Sequence, residues 1–190
     1  MMRLIAALTG LCAAFVITPS VAYQIDPLTQ QPLAQPENFG PRASPIPRET
    51  VDYRGPHKPG TIIVSTQERR LYLVQPGGKA LKYGIGVGRQ GFQWGGTQTV
   101  TRKAEWPGWT PPPQMRKRRP DLPAHLPGGP NNPLGARALY LGSTLYRIHG
   151  SNEPETIGQA VSSGCIRMMN HDVVDLYNRV KVGTRVVVQR

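Results

Sequence analysis

Glycine and proline, at 21 and 20 of 190 residues, constrain this chain more than any other feature. Their combined share is well above the usual one, and both residues interrupt helices and strands. Between them lie short β-rich runs, such as Thr61 to Val64 and Arg70 to Val74, which are bounded by turn residues. The pattern therefore predicts a mainly β domain in which much of the backbone is loop and turn.

The same signals place the remaining elements. Further strands are expected over residues 80–87, 97–104, 137–141, 145–149 and 184–189. Two short helices are predicted, one over residues 154–161 with a proline in its first turn, and one over 170–180, where apolar residues recur on one face. The expected fold class is mainly β, with one or two short helices.

The N-terminal part of the chain has two distinct compositions. Arg3, the apolar stretch from Leu4 to Ile17 and the small-x-small sequence Ser20-Val21-Ala22 predict a secretory signal peptide, residues 1–22, cleaved after Ala22. The alternative is an uncleaved membrane anchor, which would be the protein's one link to a membrane. Residues 23–58 are rich in proline and glutamine and predict a tether or an irregular strap. The protein is thus expected to be exported to the periplasm or cell envelope, with its folded domain over residues 59–190.

A proline-rich insertion is predicted at residues 105–135. It contains nine prolines, and its apolar residues favour a packed lid rather than a free loop; these are Trp106, Trp109, Met115 and Leu122. It also contains the basic run Arg116 to Arg119, in a chain of net charge +12. That run is interpreted as a solvated face or as a contact for an anionic cell-wall polymer. Nucleic acid is not an expected partner of an exported protein.

Several patterns carry no function by themselves. Gly86-x-Gly88-x-x-Gly91 matches a dinucleotide fingerprint, but a β-rich run follows it where the fingerprint requires a helix, so it predicts a glycine-rich bend. The chain has two cysteines, no C-x-x-C pair and no histidines at metal-ligand spacing. No cofactor and no metal site is therefore predicted.

Cys165 and His149 are the candidate catalytic pair. A cysteine nucleophile needs an imidazole to take its proton and later return it to a leaving amine. His149 ends a predicted strand, and Cys165 follows a Ser-Ser-Gly bend, so both are placed at one rim of the sheet. Backbone N–H groups at Gly164 and Cys165 are predicted to form an oxyanion hole, and Arg167 to hold a carboxylate. The alternative for Cys165 is an inert buried thiol.

These residues resemble the L,D-transpeptidases of bacterial cell walls, the YkuD or ErfK/YbiS/YcfS/YnhG family. The family has a His-Gly segment followed by Ser/Thr-His-Gly-Cys and often an arginine. This chain has His149-Gly150 and then Ser162-Ser163-Gly164-Cys165-Ile166-Arg167. Ser163 stands where many members have histidine, which leaves it a supporting role. The resemblance extends over residues 58–190.

The resemblance implies a β-sandwich-like catalytic domain of mixed sheets and a specific reaction. Cys165 would attack the peptide bond before the terminal D-Ala of a peptidoglycan tetrapeptide stem and form a thioester. An amine of another stem or of an envelope protein would then take the acyl group, and water would give carboxypeptidase activity. Arg167, Tyr140, Arg147 and Gly150 are the candidate substrate-binding residues, although a tyrosine on a strand is also ordinary core or edge material.

Two alternatives to this enzyme remain at the level of sequence. The first is a peptidoglycan-binding or scaffolding module without catalysis, for which a missing cysteine or histidine would be the sign; both residues are present. The second is a different exported thiol hydrolase or a sortase-like transpeptidase. It would share the Cys and His but gives no reason for the Ser-Ser-Gly-Cys-Ile-Arg context.

Overall fold

The computed structural model describes residues 44–190, and this part of the chain is mostly β. Apart from the ten-residue β6, its strands are short, in keeping with the frequent glycines and prolines. The strands are β1 (Glu49–Asp52), β2 (Ile62–Ser65), β3 (Arg70–Gln75), β4 (Lys79–Gly84), β5 (Val87–Gly88), β6 (Gly96–Glu105), β7 (Arg137–Leu141), β8 (Arg147–His149), β9 (Ala160–Ser162), β10 (Ile166–Arg167) and β11 (Arg185–Gln189). The helices of the described residues are α1 (Pro113–Arg118), α2 (Asn170–Arg179) and one 3-10 turn (Pro154–Thr156).

Nine of these strands form one mixed sheet in the order β1-β4-β3-β2-β11-β6-β7-β8-β10. Most neighbours are antiparallel, but β11 runs parallel to β2 and β10 runs parallel to β8. The remaining two strands, β5 and β9, pair with each other in parallel. The expected mainly β fold with mixed pairing is confirmed.

The core lies between the curled sheet and α2. Strands β2 and β3 bury Ile62, Val64, Leu71 and Leu73. Because side chains alternate along a strand while apolar residues on a helix recur every three to four positions, α2 presents its buried residues, including Leu176, to the same cluster. Leu139 and Ile148, on β7 and β8, extend that cluster toward the end of the sheet that carries Cys165.

The predicted helix over residues 154–161 is wrong. Only Pro154–Thr156 forms a single 3-10 turn, and Ile157 is already extended, with φ −71° and ψ 130°. The chain then enters β9, whose Ala160 pairs with Val87. Pairing with β5 therefore decides this segment, although its local sequence favours a helix.

The structure also adds two elements that the sequence patterns do not reveal. Strand β1 lies inside the proline-rich segment predicted as tether or strap, and it pairs with β4 from Glu49 to Asp52, so the ordered sheet begins before residue 59. Helix α1 lies inside the insertion, where Pro113 occupies its first turn and the N–H groups of Met115 and Arg116 donate to the Pro112 carbonyl.

The predicted signal peptide and most of the predicted tether lie outside the described residues. Within residues 44–190, no helix has the length and apolar character needed to cross a membrane.

Candidate active site

The parallel pairing of β8 with β10 brings the two predicted catalytic residues together. In this pair Ile166 is opposite Ile148, and Arg167 is opposite His149. Cys165 is the residue immediately before β10, and it therefore lies beside β8 at the start of this pairing. Cys165 and His149 both line one cleft of about 430 Å³.

The His149 imidazole is buried, with 4% of its surface exposed. Its Nδ1 lies 2.5 Å from the Gly150 carbonyl oxygen. Because a carbonyl can only accept, Nδ1 carries the proton and Nε2 keeps its lone pair. Burial lowers the pKa of His149 to about 3, and the positive charges of Arg167 and Arg147 act in the same direction. The imidazole is therefore neutral near pH 7 and has one nitrogen free to accept a proton.

Cys165 is half-buried, and its thiol donates to the Leu145 carbonyl at 3.7 Å. Burial raises the pKa of this thiol above the ordinary value, and the positive charge of Arg147 opposes that effect only in part. Both members of the pair are thus neutral at rest. Such a pair works by transfer of the thiol proton to the imidazole as the sulfur attacks, rather than as a preformed thiolate.

The loop before Cys165 is organised by Ser162, not by Ser163. The Ser162 hydroxyl donates to the Cys165 carbonyl at 2.6 Å and accepts the Gly164 N–H at 3.1 Å. The Gly164 N–H, predicted to serve in the oxyanion hole, is therefore already used inside the loop. Ser163 lines the cleft, and within residues 44–190 its hydroxyl makes no hydrogen bond to another protein group.

Two of the predicted substrate-binding residues line the cleft. Arg167 donates to the Glu153 carboxylate at 2.6 Å, which fixes the guanidinium at the cleft wall. Arg147 donates to the Leu145 carbonyl at 3.1 Å, and its Nε is buried without a hydrogen-bond partner in the described part of the chain. Both groups can still donate to a carboxylate that enters the cleft.

The other two predicted substrate-binding residues are not among those that line the cleft. The ring of Tyr140 packs against Arg102 and Arg147, whose guanidinium carbons lie 3.6 and 5.1 Å from its centroid. Gly150 is buried, and its carbonyl contributes by holding the Nδ1 proton of His149. Tyr140 is thus a packing residue of the sheet, and Gly150 orients the imidazole through its backbone.

The proline-rich insertion forms one wall of the same cleft. Trp109, Pro112, Gln114, Met115 and Arg118 line it together with Cys165 and His149. Trp109 is fixed by two 2.8 Å backbone hydrogen bonds to Leu126. Trp106 was expected to pack within the lid, but it is 42% exposed and does not line the cleft.

The sequence patterns do not predict the contacts that Ser162 and Trp94 make at the site, and for Tyr146 they predict a place at the cleft but not its stacking on Trp94. Ser162 holds the Cys165 loop, and Trp94 donates its indole N–H to the Gly164 carbonyl at 2.7 Å. Tyr146 lines the cleft and stacks on Trp94, with ring centroids 4.4 Å apart. These contacts join residues far apart in the chain, so no local pattern predicts them. The one sequence signal near them is the glycine-rich bend that contains Trp94.

In the described residues, no group of three or more histidine, cysteine, aspartate or glutamate side chains is placed to hold a metal ion. The glycine motif at Gly86, Gly88 and Gly91 runs through strand β5 into a turn and not into a helix, so it lacks the helix N-terminus on which a dinucleotide phosphate would rest.

Comparison with known proteins gives one consistent family. The sequence model of the L,D-transpeptidase catalytic domain, YkuD, matches residues 59–188. The Escherichia coli K12 protein named probable L,D-transpeptidase ErfK/SrfK is 45% identical over 134 residues, which are 66% of this chain and 42% of that protein. The chain therefore spans less than half the length of this curated relative.

Solved structures are similar in fold. The catalytic domain of the E. faecium L,D-transpeptidase acylated by ertapenem is 22% identical, with TM-score 0.54 over 71% of this chain and all of that domain. A Brucella melitensis protein described as a probable carnitine operon oxidoreductase is 43% identical, with TM-score 0.52 over 82% of this chain and 99% of that one. Its description names a different activity, but the family match and the curated relative agree with each other. This chain belongs to the YkuD family of L,D-transpeptidase catalytic domains.

Proposed function

We propose that this protein is a peptidoglycan L,D-transpeptidase in which Cys165 is the nucleophile and His149 the general base. One observation carries the proposal. A neutral imidazole with a free Nε2 and a half-buried thiol line the same cleft, beside arginines that suit a carboxylate-bearing peptide. The family match over residues 59–188 supports the same activity.

The donor in this proposal is a tetrapeptide stem that ends in D-Ala. Sγ of Cys165 forms a bond to the carbonyl carbon that precedes D-Ala, and the thiol proton moves to Nε2 of His149. The carbonyl π electrons move to oxygen and then return as the C–N bond breaks. His149 delivers the proton to the departing amine, so D-Ala leaves as a neutral amine and a thioester remains.

The acceptor completes the cycle. An amine attacks the thioester, His149 takes one of its protons, and the Cys165 thiol is restored. The amine belongs to the diamino acid of another stem in the cross-linking case and to an envelope protein in the anchoring case, and water in its place gives an L,D-carboxypeptidase. These steps use only side chains and backbone groups of the chain. The protein acts after export to the periplasm.

The positive charge of the cleft suits an anionic donor peptide. Arg118, Arg147 and Arg167 line it, whereas no aspartate or glutamate of the described residues does. A stem peptide carries several carboxylates. Arg118 and Arg147 therefore favour its entry over that of a neutral or basic peptide, while the charge of Arg167 is partly compensated by Glu153.

The test is the Cys165→Ala variant, incubated with a tetrapeptide stem while release of D-Ala is followed. Turnover should be lost, because the variant has no nucleophile, while the far-UV circular dichroism stays that of the wild type. A carbapenem should add its mass to the wild type and not to the variant. Release of D-Ala by the variant at the wild-type rate contradicts the thioester mechanism, and a wild type that binds stems without any release favours the scaffolding module.

A further inference from the structure

The glycine-rich segment 86–96 lies directly against the loop that carries Cys165. The N–H and C=O of Gly86 exchange two 2.9 Å hydrogen bonds with the backbone of Arg167, and the Arg89 N–H donates to the Ser162 carbonyl at 3.0 Å. A Cβ at Gly88 would lie 2.5 Å from the Phe92 carbonyl oxygen and 3.3 Å from the Gly164 Cα. The absence of a side chain at Gly88 thus lets the two backbones approach, and the segment supports the loop on both sides of the nucleophile.

Trp94, near the end of this segment, contacts the nucleophile loop directly. Its Nε1–H donates to the Gly164 carbonyl at 2.7 Å. Its ring stacks on Tyr146, with a centroid distance of 4.4 Å and an interplanar angle of 5°. The Tyr146 ring in turn packs against Gly164, where a Cβ would lie 2.5 Å from Cε1 and where φ is +110°. The Gly164 peptide is therefore held by a hydrogen bond on its oxygen and by a ring on its Cα.

The oxygen that Trp94 holds belongs to the same peptide unit as the Cys165 N–H. A trans peptide is planar, and its C=O and N–H point in opposite directions. Fixing the Gly164 oxygen therefore fixes the direction of the Cys165 N–H. A hydrogen bond to the carbonyl also polarises the amide and strengthens its N–H as a donor.

The Cys165 N–H is available for the reaction. Within residues 44–190 it donates to no backbone carbonyl and to no side chain. The Gly164 N–H, in contrast, donates to the Ser162 hydroxyl at 3.1 Å. Of the two backbone donors beside the nucleophile, the Cys165 N–H is thus the one that can reach an oxyanion forming next to Sγ.

We propose that Trp94 is a positioning residue for acyl transfer: its indole N–H orients the Gly164–Cys165 peptide so that the Cys165 N–H stabilises the oxyanion. The inference rests on the proposed function, because an oxyanion forms only when Sγ adds to a carbonyl carbon. In that addition the C–S bond forms and the π electrons move to oxygen, where the Cys165 N–H meets them. Trp94 itself touches neither the substrate nor Sγ in this scheme.

The experiment compares two reactions of the same thiol. Acylation by a carbapenem passes through an oxyanion, whereas alkylation by iodoacetamide displaces iodide at a saturated carbon and forms none. The first variant is Trp94→Phe. The second replaces Trp94 site-specifically by 3-benzothienylalanine, which keeps the shape of the indole but has sulfur in place of its N–H. Both rates are measured by mass spectrometry of the intact protein.

Both variants should be acylated about 10- to 100-fold more slowly, somewhat less than the loss found when an oxyanion donor itself is removed. Alkylation should keep the wild-type rate and pH dependence, since the thiol and His149 are unchanged. With a tetrapeptide stem, kcat should fall while KM stays the same. The control is Trp106→Phe, a tryptophan that is 42% exposed and outside the cleft, and it should react as the wild type in both assays.

Each other outcome counts against the proposal. If the benzothienylalanine variant is acylated at the wild-type rate, the indole N–H has no positioning role. If acylation and alkylation slow down together, Trp94 supports the packing of the whole site and not the oxyanion. A wild type that is alkylated at Cys165 but never acylated overturns the proposed function, and it is thereby distinguished from a failure of the Trp94 inference alone.

Discussion

At Cys165 and His149, burial determines the ionisation state on which the chemistry depends. It raises the pKa of the thiol and lowers that of the imidazole, so that the pair is neutral at rest. The nearby arginines favour a thiolate but are outweighed by desolvation. A neutral thiol is a weak nucleophile, and the reaction that we propose therefore depends on proton transfer to His149 during the attack.

This ionisation state predicts the pH dependence of acylation. His149 can accept a proton only when it is neutral, so the rate should fall as the pH drops through its folded pKa of about 3, and not near the ordinary value of about 6.5. Alkylation by iodoacetamide should continue to rise with pH beyond the pKa of an ordinary cysteine. Both profiles can be measured on the wild type, and an acid limb centred near pH 6.5 contradicts the assignment.

His149→Gln should slow acylation by roughly 10²- to 10⁴-fold, the range for a positioned proton-transfer group. Ser163→Ala is the comparison variant, and it should lose far less, because the Ser163 hydroxyl makes no hydrogen bond within the described residues. Equal losses in the two variants would indicate a serine-assisted proton path.

At the scale of elements, helix α1 of the insertion places one residue of the basic run at the cleft. Only one of the four charges lines the cleft, that of Arg118. Arg116 and Lys117 are exposed outside it, and Arg119 forms an ion pair with Asp121 at 2.6 Å. The guanidinium of Arg118 also lies 5.6 Å from the ring centroid of Phe92, which lines the cleft as well. Of the four adjacent positive charges, the helix therefore places only that of Arg118 at the cleft.

Arg118→Gln should accordingly raise the KM for an anionic stem peptide. Its effect should weaken as added salt shortens the screening length toward about 8 Å at physiological ionic strength. Arg116→Gln is the matched control, because it removes the same charge from the same helix but outside the cleft, and its KM should change little. The measurement is D-Ala release at several stem and salt concentrations. Equal KM values for the two variants at low salt would make the run a solvated face.

At the scale of the molecule, burial of the His149 imidazole affects stability as well as the proposed reactivity. An unfolded chain binds a proton at His149 below a pH of about 6.5, whereas the folded chain resists doing so down to about pH 3. Between these values the unfolded state holds more protons, so the free energy of unfolding falls as the pH falls. Above pH 6.5 the neutral His149 has no effect on the pH dependence of stability. Between pH 6.5 and about pH 3, the free energy of unfolding falls by about 1.4 kcal/mol for each pH unit on its account.

The variant His149→Gln isolates this contribution. Urea unfolding of the wild type and the variant between pH 7 and pH 4 should give two curves, with the wild type losing stability more steeply. The carboxylates that titrate in the same range are common to both proteins and cancel in the difference. Parallel curves would mean that His149 is not held neutral by burial.

The sequence by itself determined the β character of the chain, because short apolar runs between glycines and prolines leave no length for long helices. It also determined the chemical identity of the pair, since Cys165 and His149 occur in a specific local context. Helix α2 followed from its own periodicity. Each of these properties depends on residues close together in the chain.

The tertiary structure alone decided the rest. The segment 160–162 became a strand because β5 lies beside it, and β1 formed because β4 offered an edge. The pKa values of His149 and Cys165 follow from burial, which no local pattern specifies. The bond from Trp94 to Gly164 joins residues 70 positions apart. Contacts of this kind arise only when the whole sheet has closed, which is why the residue types of the site and the rim that carries them could be predicted, and their burial and hydrogen bonds could not.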